Sequence, residues 1–284
     1  MRIIKPTAIE LKQTNLFKHI ELCGRTCYKS EDKITEDSCH KFVDMLKKHA
    51  HGAMLEHGTV YLTIPKADIE EAIEYGKIAF DVVDELKSIQ MMRLSSLRTH
   101  PLPHSKTISC GEYVYITTNY RVIVERDIEF IMNKYQTEPT EHHIKRRTFK
   151  ITCNRGVSHE FVRHRVFSFA QESQRYCNYS KDKYGKEITF IEPIWHEGLS
   201  QEPHKKVNIY DWMDCMETCE RTYFYLLESG LTPQLARGVL PNDIKTELIM
   251  TGFESDWEHF FKLRCANDAH PEAKYIADMI KEMF

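Results

Sequence analysis

Short β-rich runs in this chain are separated by longer stretches of helical spacing, and that rhythm confines it to the α+β class. Residues 58–64 (GTVYLTI) alternate apolar and polar side chains and stop at Pro65, which predicts a half-buried strand. Residues 112–120, 147–153 and 188–191 read as further strands. Helical spacing covers residues 11–27, 35–48 and, as one long pattern, 67–97. Residues 127–134 and 211–228 follow, the latter closed by Gly230. Thr232-Pro233 opens another helix, Ser255-x-x-Glu258 reads as a capping box for a helix through Arg264, and residues 271–283 are amphipathic. Residues 49–57, 98–109 and 136–143 read as loops. Asn154-Arg155-Gly156 reads as a turn, after which Ser158 caps a helix through Arg165. Helices dominate.

Composition narrows the classes. A chain of 284 residues with 42% hydrophobic content can bury one large core or two smaller ones. No run approaches the ~18 apolar residues of a membrane span. The opening residues, MRIIKPTAIELKQTN, lack the apolar run and small-residue cleavage site of a signal peptide, so a cytoplasmic location is expected. Nine cysteines, an odd number, are scattered too sparsely for a disulfide scaffold and read as reduced thiols. The pairs Cys23/Cys27 and Cys215/Cys219 are four apart, which places each pair on one helix face; no further ligands follow at the spacing of a metal finger.

Charge is where the chain becomes specific. The net charge is −3, yet from residue 144 to 175 eight cations (Lys145, Arg146, Arg147, Lys150, Arg155, Arg163, Arg165 and Arg175) meet only Glu160 and Glu172. A basic island in a slightly acidic protein suits an anionic ligand of limited size. Its centre is the run 163–176, RHRVFSFAQESQRY. Arginine forks match phosphate bidentately, and serine hydroxyls with loop N–H groups complete a phosphate cage. Arg163 and Arg165 are too close in sequence to share a helix face, so two anionic groups can be held. A solvated basic surface with interspersed aromatics is the plainer reading of the same residues. His159-Glu160-Phe161-Val162-Arg163-His164 only looks like a zinc-protease motif. Its second histidine is at i+5, about 140° round a helix from the first, so one metal cannot be shared.

Arg163-His164-Arg165, seven residues, then Ser173-Gln174-Arg175-Tyr176 resembles the signature of the flavin-dependent thymidylate synthases. Other segments agree in kind and order. HAHGAMLEH at 49–57 resembles the family's histidine element before a strand, and Gly24-Arg25-Thr26-Cys27 its N-terminal element. Ala236-Arg237-Gly238-Val239-Leu240-Pro241 and the run 256–264, DWEHFFKLR, resemble two later ones. The resemblance covers roughly residues 15–65 and 147–284. It implies one domain over 1–284 with a mixed sheet flanked by helices, and an insertion at about 66–146 after the first strand.

The resemblance further implies that dTMP is made from dUMP, with methylenetetrahydrofolate as carbon donor and NADPH-reduced FAD as hydride source. It points to His51, Ala53, Arg163, His164, Arg165, Gln171 and His259 for FAD. For dUMP it points to Glu160, Arg163, Gln171, Glu172, Ser173, Gln174, Arg175, Arg237 and Arg264. Arg264 falls on the arginine that stabilises the ionised N3 of the uracil, since a nearby cation favours the anion. Arg264 and Ser173 are the catalytic candidates. Ser173 reads either as a nucleophile activated by a base or, since the resemblance implies hydride delivery by the flavin, as a dUMP-positioning residue. The sequence departs from the pattern at Ala53, where Ser or Thr is frequent, at Glu160, where Gln is common, and at Gln171, where some members have Glu. A homotetramer with sites at subunit interfaces is implied, with no nucleic-acid or membrane partner. The competing class is a nucleotide- or RNA-binding protein that uses residues 144–175, stacking bases on Phe161, Phe167, Phe169 and Tyr176.

Overall fold

The computed structural model describes residues 1–78, 85–97, 101–175, 179–181, 185–196 and 208–284. Tyr176, which ends the motif, lies outside the described residues. The strands are β1 (Arg2–Ile4), β2 (Thr7–Glu10), β3 (Thr59–Pro65), β4 (Lys106–Cys110), β5 (Tyr113–Asn119), β6 (Arg146–Asn154), β7 (Ser168–Gln171), β8 (Thr189–Ile191) and β9 (Lys245–Phe253). The helices are α1 (Leu16–Tyr28), α2 (Ser38–Lys48), α3 (Gly52–Leu55), α4 (Lys66–Ile78), α5 (Glu85–Ser96), α6 (Tyr120–Glu125), α7 (Glu129–Tyr135), α8 (Arg155–Phe161), α9 (Ile209–Glu228), α10 (Pro233–Ala236), α11 (Glu254–Arg264) and α12 (Pro271–Lys281). No helix among the described residues is long and apolar enough to cross a membrane.

The chain divides into two compact units, Met1–Leu11 with Leu22–Ile34 and Thr148–Phe284, and Lys12–Glu21 with Thr35–Arg147. The first unit carries a four-stranded sheet in the order β2-β6-β9-β7. Ala8 pairs with Ile151 across β2 and β6, and Phe169 with Met250 across β7 and β9, both antiparallel. Helices α11 and α12 cover this sheet, burying Trp257, Phe260, Ala273, Ile276 and Ile280 against Phe149, Ile151, Leu248 and Met250. Each large apolar side chain removed from water contributes about 1.5–3 kcal/mol. Trp257 stands edge-on to Phe149 at 5.0 Å and to Phe167 at 4.6 Å. Gly252 lets Phe167 approach: a Cβ there would sit 2.5 Å from the Phe167 ring. A second cluster of the unit gathers Phe190 of the parallel pair β1–β8 with Met216 and Tyr223 of α9 and with Ala236 and Ile244.

The second unit is built on the antiparallel sheet β3-β5-β4, in register Leu62↔Ile116 and Thr107↔Ile116. Its core joins Leu62 and Ile64 to Phe42, Val43 and Leu46 of α2, Ile123 of α6 and Ile131 of α7.

Several boundaries move. Residues 106–110 pair as β4, where the two prolines before them suggested one continuous loop. The long pattern 67–97 is described as α4 and α5, with residues 79–84 outside the described residues. Asn154-Arg155-Gly156 is not a turn before a helix capped by Ser158. Asn154 itself is the cap, its Oδ1 accepting from Val157 N at 2.8 Å, and α8 ends at Phe161 rather than Arg165. The start of α11 is closed by Asp256, whose carboxylate accepts from Phe253 N at 3.2 Å, not by Ser255 with Glu258. Strands β1, β2, β7 and β9 lie outside the runs that read as strands.

Candidate functional site

The motif begins where α8 ends. Phe161 is buried edge-on to Phe260 at 5.0 Å, which pins the last turn of α8 to α11. Two tight turns follow, His164 N donating to Phe161 O at 3.0 Å and Phe167 N to His164 O at 3.1 Å. They turn His164 inward, only 9% exposed, and leave Arg163 and Arg165 exposed on either side of it. The side chain of Arg163 is 72% exposed and meets Glu160 at 3.4 Å. The expectation that the two arginines are free of a shared helix face is met because the chain has left the helix before either.

His164 is held by a residue one hundred positions away. Arg264, the last residue of α11, donates from Nε to His164 Nε2 at 2.9 Å, from Nη1 to Glu160 Oε2 at 2.7 Å and from Nη2 to the Glu160 carbonyl at 2.7 Å. Its side chain is 15% exposed and that of Glu160 28%. Because Nε2 accepts, the neutral imidazole carries its proton on Nδ1. Burial, then the Arg264 and His259 charges, push the His164 pKa down to about 4. The hydrogen bond from Arg264 holds the Glu160 carboxyl below its usual range against a smaller opposing effect of burial. Arg264 spends three of the five N–H groups of its guanidinium this way and keeps two.

β7 delivers the rest of the motif. Gln171 donates from Nε2 to Ser158 Oγ at 2.9 Å and to Thr246 Oγ1 at 3.3 Å. Glu172 N donates to Glu247 O at 2.8 Å and Ser173 N to Cys27 O at 3.0 Å, fixing the backbone beyond the strand. Glu172 is 3% exposed, with its carboxylate 2.8 Å from Lys245 Nζ. Glu247 meets Lys245 at 3.0 Å, Lys150 at 2.8 Å and Lys29 at 2.6 Å. Burial opposes the charge of Glu247, yet these lysines outweigh it and bring its pKa down to about 2. Lys29 takes a φ of 47° directly after α1, a strained backbone kept where its surroundings over-determine it. Glu172, Lys29 and Lys245, with Arg2, Glu31 and Tyr179, line a pocket of about 460 Å³.

Sequence reading missed this network. Lys245 and Glu247 are two apart and share a face only once β9 is known to be a strand. Gln174 is buried, and its Nε2 has no hydrogen-bond partner among the described residues. Arg175 is exposed, and Arg237 is half-buried in a short helical turn after α10. His259 is exposed on α11. In the second unit, His51 directly precedes α3 and Ala53 lies within it, both exposed, while His57 is fully buried before β3. The eight cysteines among the described residues are free thiols. No group of three or more metal-binding side chains occurs among those residues.

A family model described as thymidylate synthase complementing protein matches residues 89–284. The chain belongs to this family. The flavin-dependent thymidylate synthase of Geobacter sulfurreducens is 25% identical over 193 residues, spanning 66% of this chain and 79% of that protein. That of Pyrococcus furiosus is 30% identical over 172 residues, 59% of this chain and 67% of that protein. That of Sulfurisphaera tokodaii is 34% identical over 138 residues, 48% of this chain and 49% of that protein. Among solved structures, a UMP/dUMP methylase from Streptomyces cacaoi bound with 5-Br dUMP superposes at a TM-score of 0.44 and 16% identity, over 100% of this chain and 91% of that one; at that level the likeness carries no argument about the site. The His164–Arg264–Glu160 cluster thus joins two segments that the family motif and its later element single out, and membership agrees with the resemblance read from the motif.

Proposed function

We propose that this chain makes dTMP from dUMP by reductive methylation, with methylenetetrahydrofolate as carbon donor and FAD as its bound cofactor. The observation that carries the reading is the grip of Arg264 on His164 and Glu160, which locks the turn bearing Arg163 and Arg165. Two exposed forks on a rigid turn, one with a single weak partner, suit an anionic dinucleotide. Arg163, His164, Arg165, Gln171 and His259, with His51 and Ala53, would hold FAD. When reduced by NADPH, the bound flavin supplies the hydride.

Glu160, Arg163, Gln171, Glu172, Ser173, Gln174, Arg175, Arg237 and Arg264 would hold dUMP. The unpartnered Gln174 amide suits a ligand acceptor, because a buried donor left unpaired costs about 1–3 kcal/mol. The two remaining N–H groups of Arg264 would face the uracil and favour its N3 anion, which enriches electron density at C5. Glu172 would act through the backbone it fixes, since its carboxylate is taken up by Lys245. In this reading the chain works as one functional domain in a homotetramer with sites at subunit interfaces, and residues 66–146 are an insertion.

The test is direct. Purified protein should carry flavin absorption bands that bleach with NADPH, and should release tritium from 5-tritiated dUMP when methylenetetrahydrofolate is present. A colourless protein that neither binds added FAD nor releases tritium overturns the proposal.

A further inference from the structure

We propose that Arg155 binds the 5′-phosphate of the substrate, as the second fork of a clamp whose first is Arg237. This rests on the dUMP reading above. Four other cations of the first unit are spent on carboxylates: Lys29, Lys150 and Lys245 meet Glu247, and Arg264 meets Glu160. Arg155 and Arg237 are both half-buried, and neither forms an ion pair with a carboxylate among the described residues. Arg155 spends one donor, Nη2, on the His159 ring at 3.3 Å. The rest of its fork is unspent among those residues.

The two arginines also act on each other. Burial first and the Arg237 charge second lower the proton affinity of Arg155. Glu172, a carboxylate acting on it from nearby, is already bound by Lys245 at 2.8 Å. The backbone ties the two loops together, Arg155 N donating to Asn242 O at 2.9 Å, five residues beyond Arg237. Two half-buried like charges with unspent donors favour an anion, and a phosphate monoester dianion can accept two bidentate forks at once. Arg155 stood in the basic island of the sequence but falls on none of the motif positions.

The experiment measures binding of dUMP, deoxyuridine, FAD and riboflavin to the wild-type protein, Arg155→Met and Arg155→Lys. Arg155→Met should weaken dUMP about 10- to 100-fold, the loss of a charge-assisted partner, and leave deoxyuridine unchanged. Arg155→Lys, which keeps the charge and loses the fork, should fall between; it carries the comparison if Arg155→Met does not fold. Weakened FAD with riboflavin and dUMP unchanged would assign the clamp to the flavin pyrophosphate and overturn the proposal. Wild-type protein that binds dUMP, with variants that bind it equally well, would also overturn it while leaving the proposed function standing. Failure of the wild-type protein to bind dUMP would remove both.

Discussion

Replacing Arg264 by methionine tests the centre of the site most sharply. The substitution keeps an apolar stem of similar reach, so no large cavity opens. It removes three hydrogen bonds, two of them to Glu160 and one to His164 Nε2. Glu160 is 28% exposed and partly recovers water, so its share of the loss is small. His164 is 9% exposed, and its acceptor is left unpaired. Together these cost about 1–3 kcal/mol, most of it the unpaired His164 acceptor. The electrostatic consequence is independent of that estimate. Burial, Arg264 and His259 hold the His164 pKa at about 4, against an ordinary 6.5. Without Arg264 the second of these causes vanishes, and the Glu160 anion, which raises the His164 pKa, is opposed only by burial and His259. The His164 pKa should therefore rise toward 6.5 and stop short of it, because burial remains. Ring-nitrogen NMR across a pH titration reads both the tautomer and the pKa, and urea melts read the stability. A His164 that still titrates at about 4 in the variant, or that carries its proton on Nε2 in the wild type, refutes the reasoning.

Further outcomes are expected. Acid should weaken the first unit between pH 6.5 and about 4: the folded-state pKa of His164 is depressed, so its contribution is present above 6.5 and is lost as the unfolded chain takes up a proton, up to about 3 kcal/mol. His19, lowered to about 4 by burial and then by Arg146, should act in the same window in the second unit; melting temperatures flat across that range would contradict both. Gly252→Ala should destabilise by about 1–3 kcal/mol, because its Cβ would fall 2.5 Å from the Phe167 ring, and an unchanged denaturation midpoint would show that the ring yields freely. Lys245→Met should cost about 1–3 kcal/mol by leaving the buried Glu172 to the more distant Lys29 at 3.9 Å, and calorimetry would detect it; a variant as stable as wild type means that Lys29 or water serves Glu172 in full. Ser173→Ala should leave measurable dTMP synthesis, whereas complete loss with dUMP binding intact would restore Ser173 as a nucleophile.

What the sequence disclosed follows from the range of each signal. Helix α9 was expected over 211–228 and is Ile209–Glu228, since a long 3.6-residue period is hard to mistake. Strand β3 was legible because its alternation ends at proline. Strand β9 was not: all its residues from Leu248 to Phe253 are buried, so it shows an apolar run in place of alternation. β7 has four residues, too few for any period. Losing these two strands hid the lysine–glutamate network, whose members come from β6, β9, the residue after α1 and the loop after β7. The Arg-His-Arg turn survived because its spacing is local, and Arg264 because a separate motif marked it. No spacing rule could show that Arg264 grips His164, a pairing one hundred residues apart.

The basic island itself is the last thing the structure reinterprets. Counted along the chain it is one feature of eight cations and two carboxylates. Folded, its members have separate duties. Arg146 belongs to the second unit and donates to the Glu56 carbonyl at 3.0 Å, so it serves the fold there. Lys150 is spent on Glu247. Arg163 has one weak contact in the 72% of its side chain that water reaches, and Arg165 is exposed beside it. Arg155 is half-buried with one donor used. A surface that bound RNA by charge alone would keep such cations solvated and interchangeable, because phosphate attraction in that mode depends on the number of charges and little on their placement. Here burial, pairing and turn geometry give Arg146, Lys150, Arg155 and Arg163 different environments. Such placement suits a few fixed anionic groups of small ligands, and binding that weakens only gently with added salt would support that distinction, whereas a steep loss shared by every cation would return the island to a nucleic-acid surface.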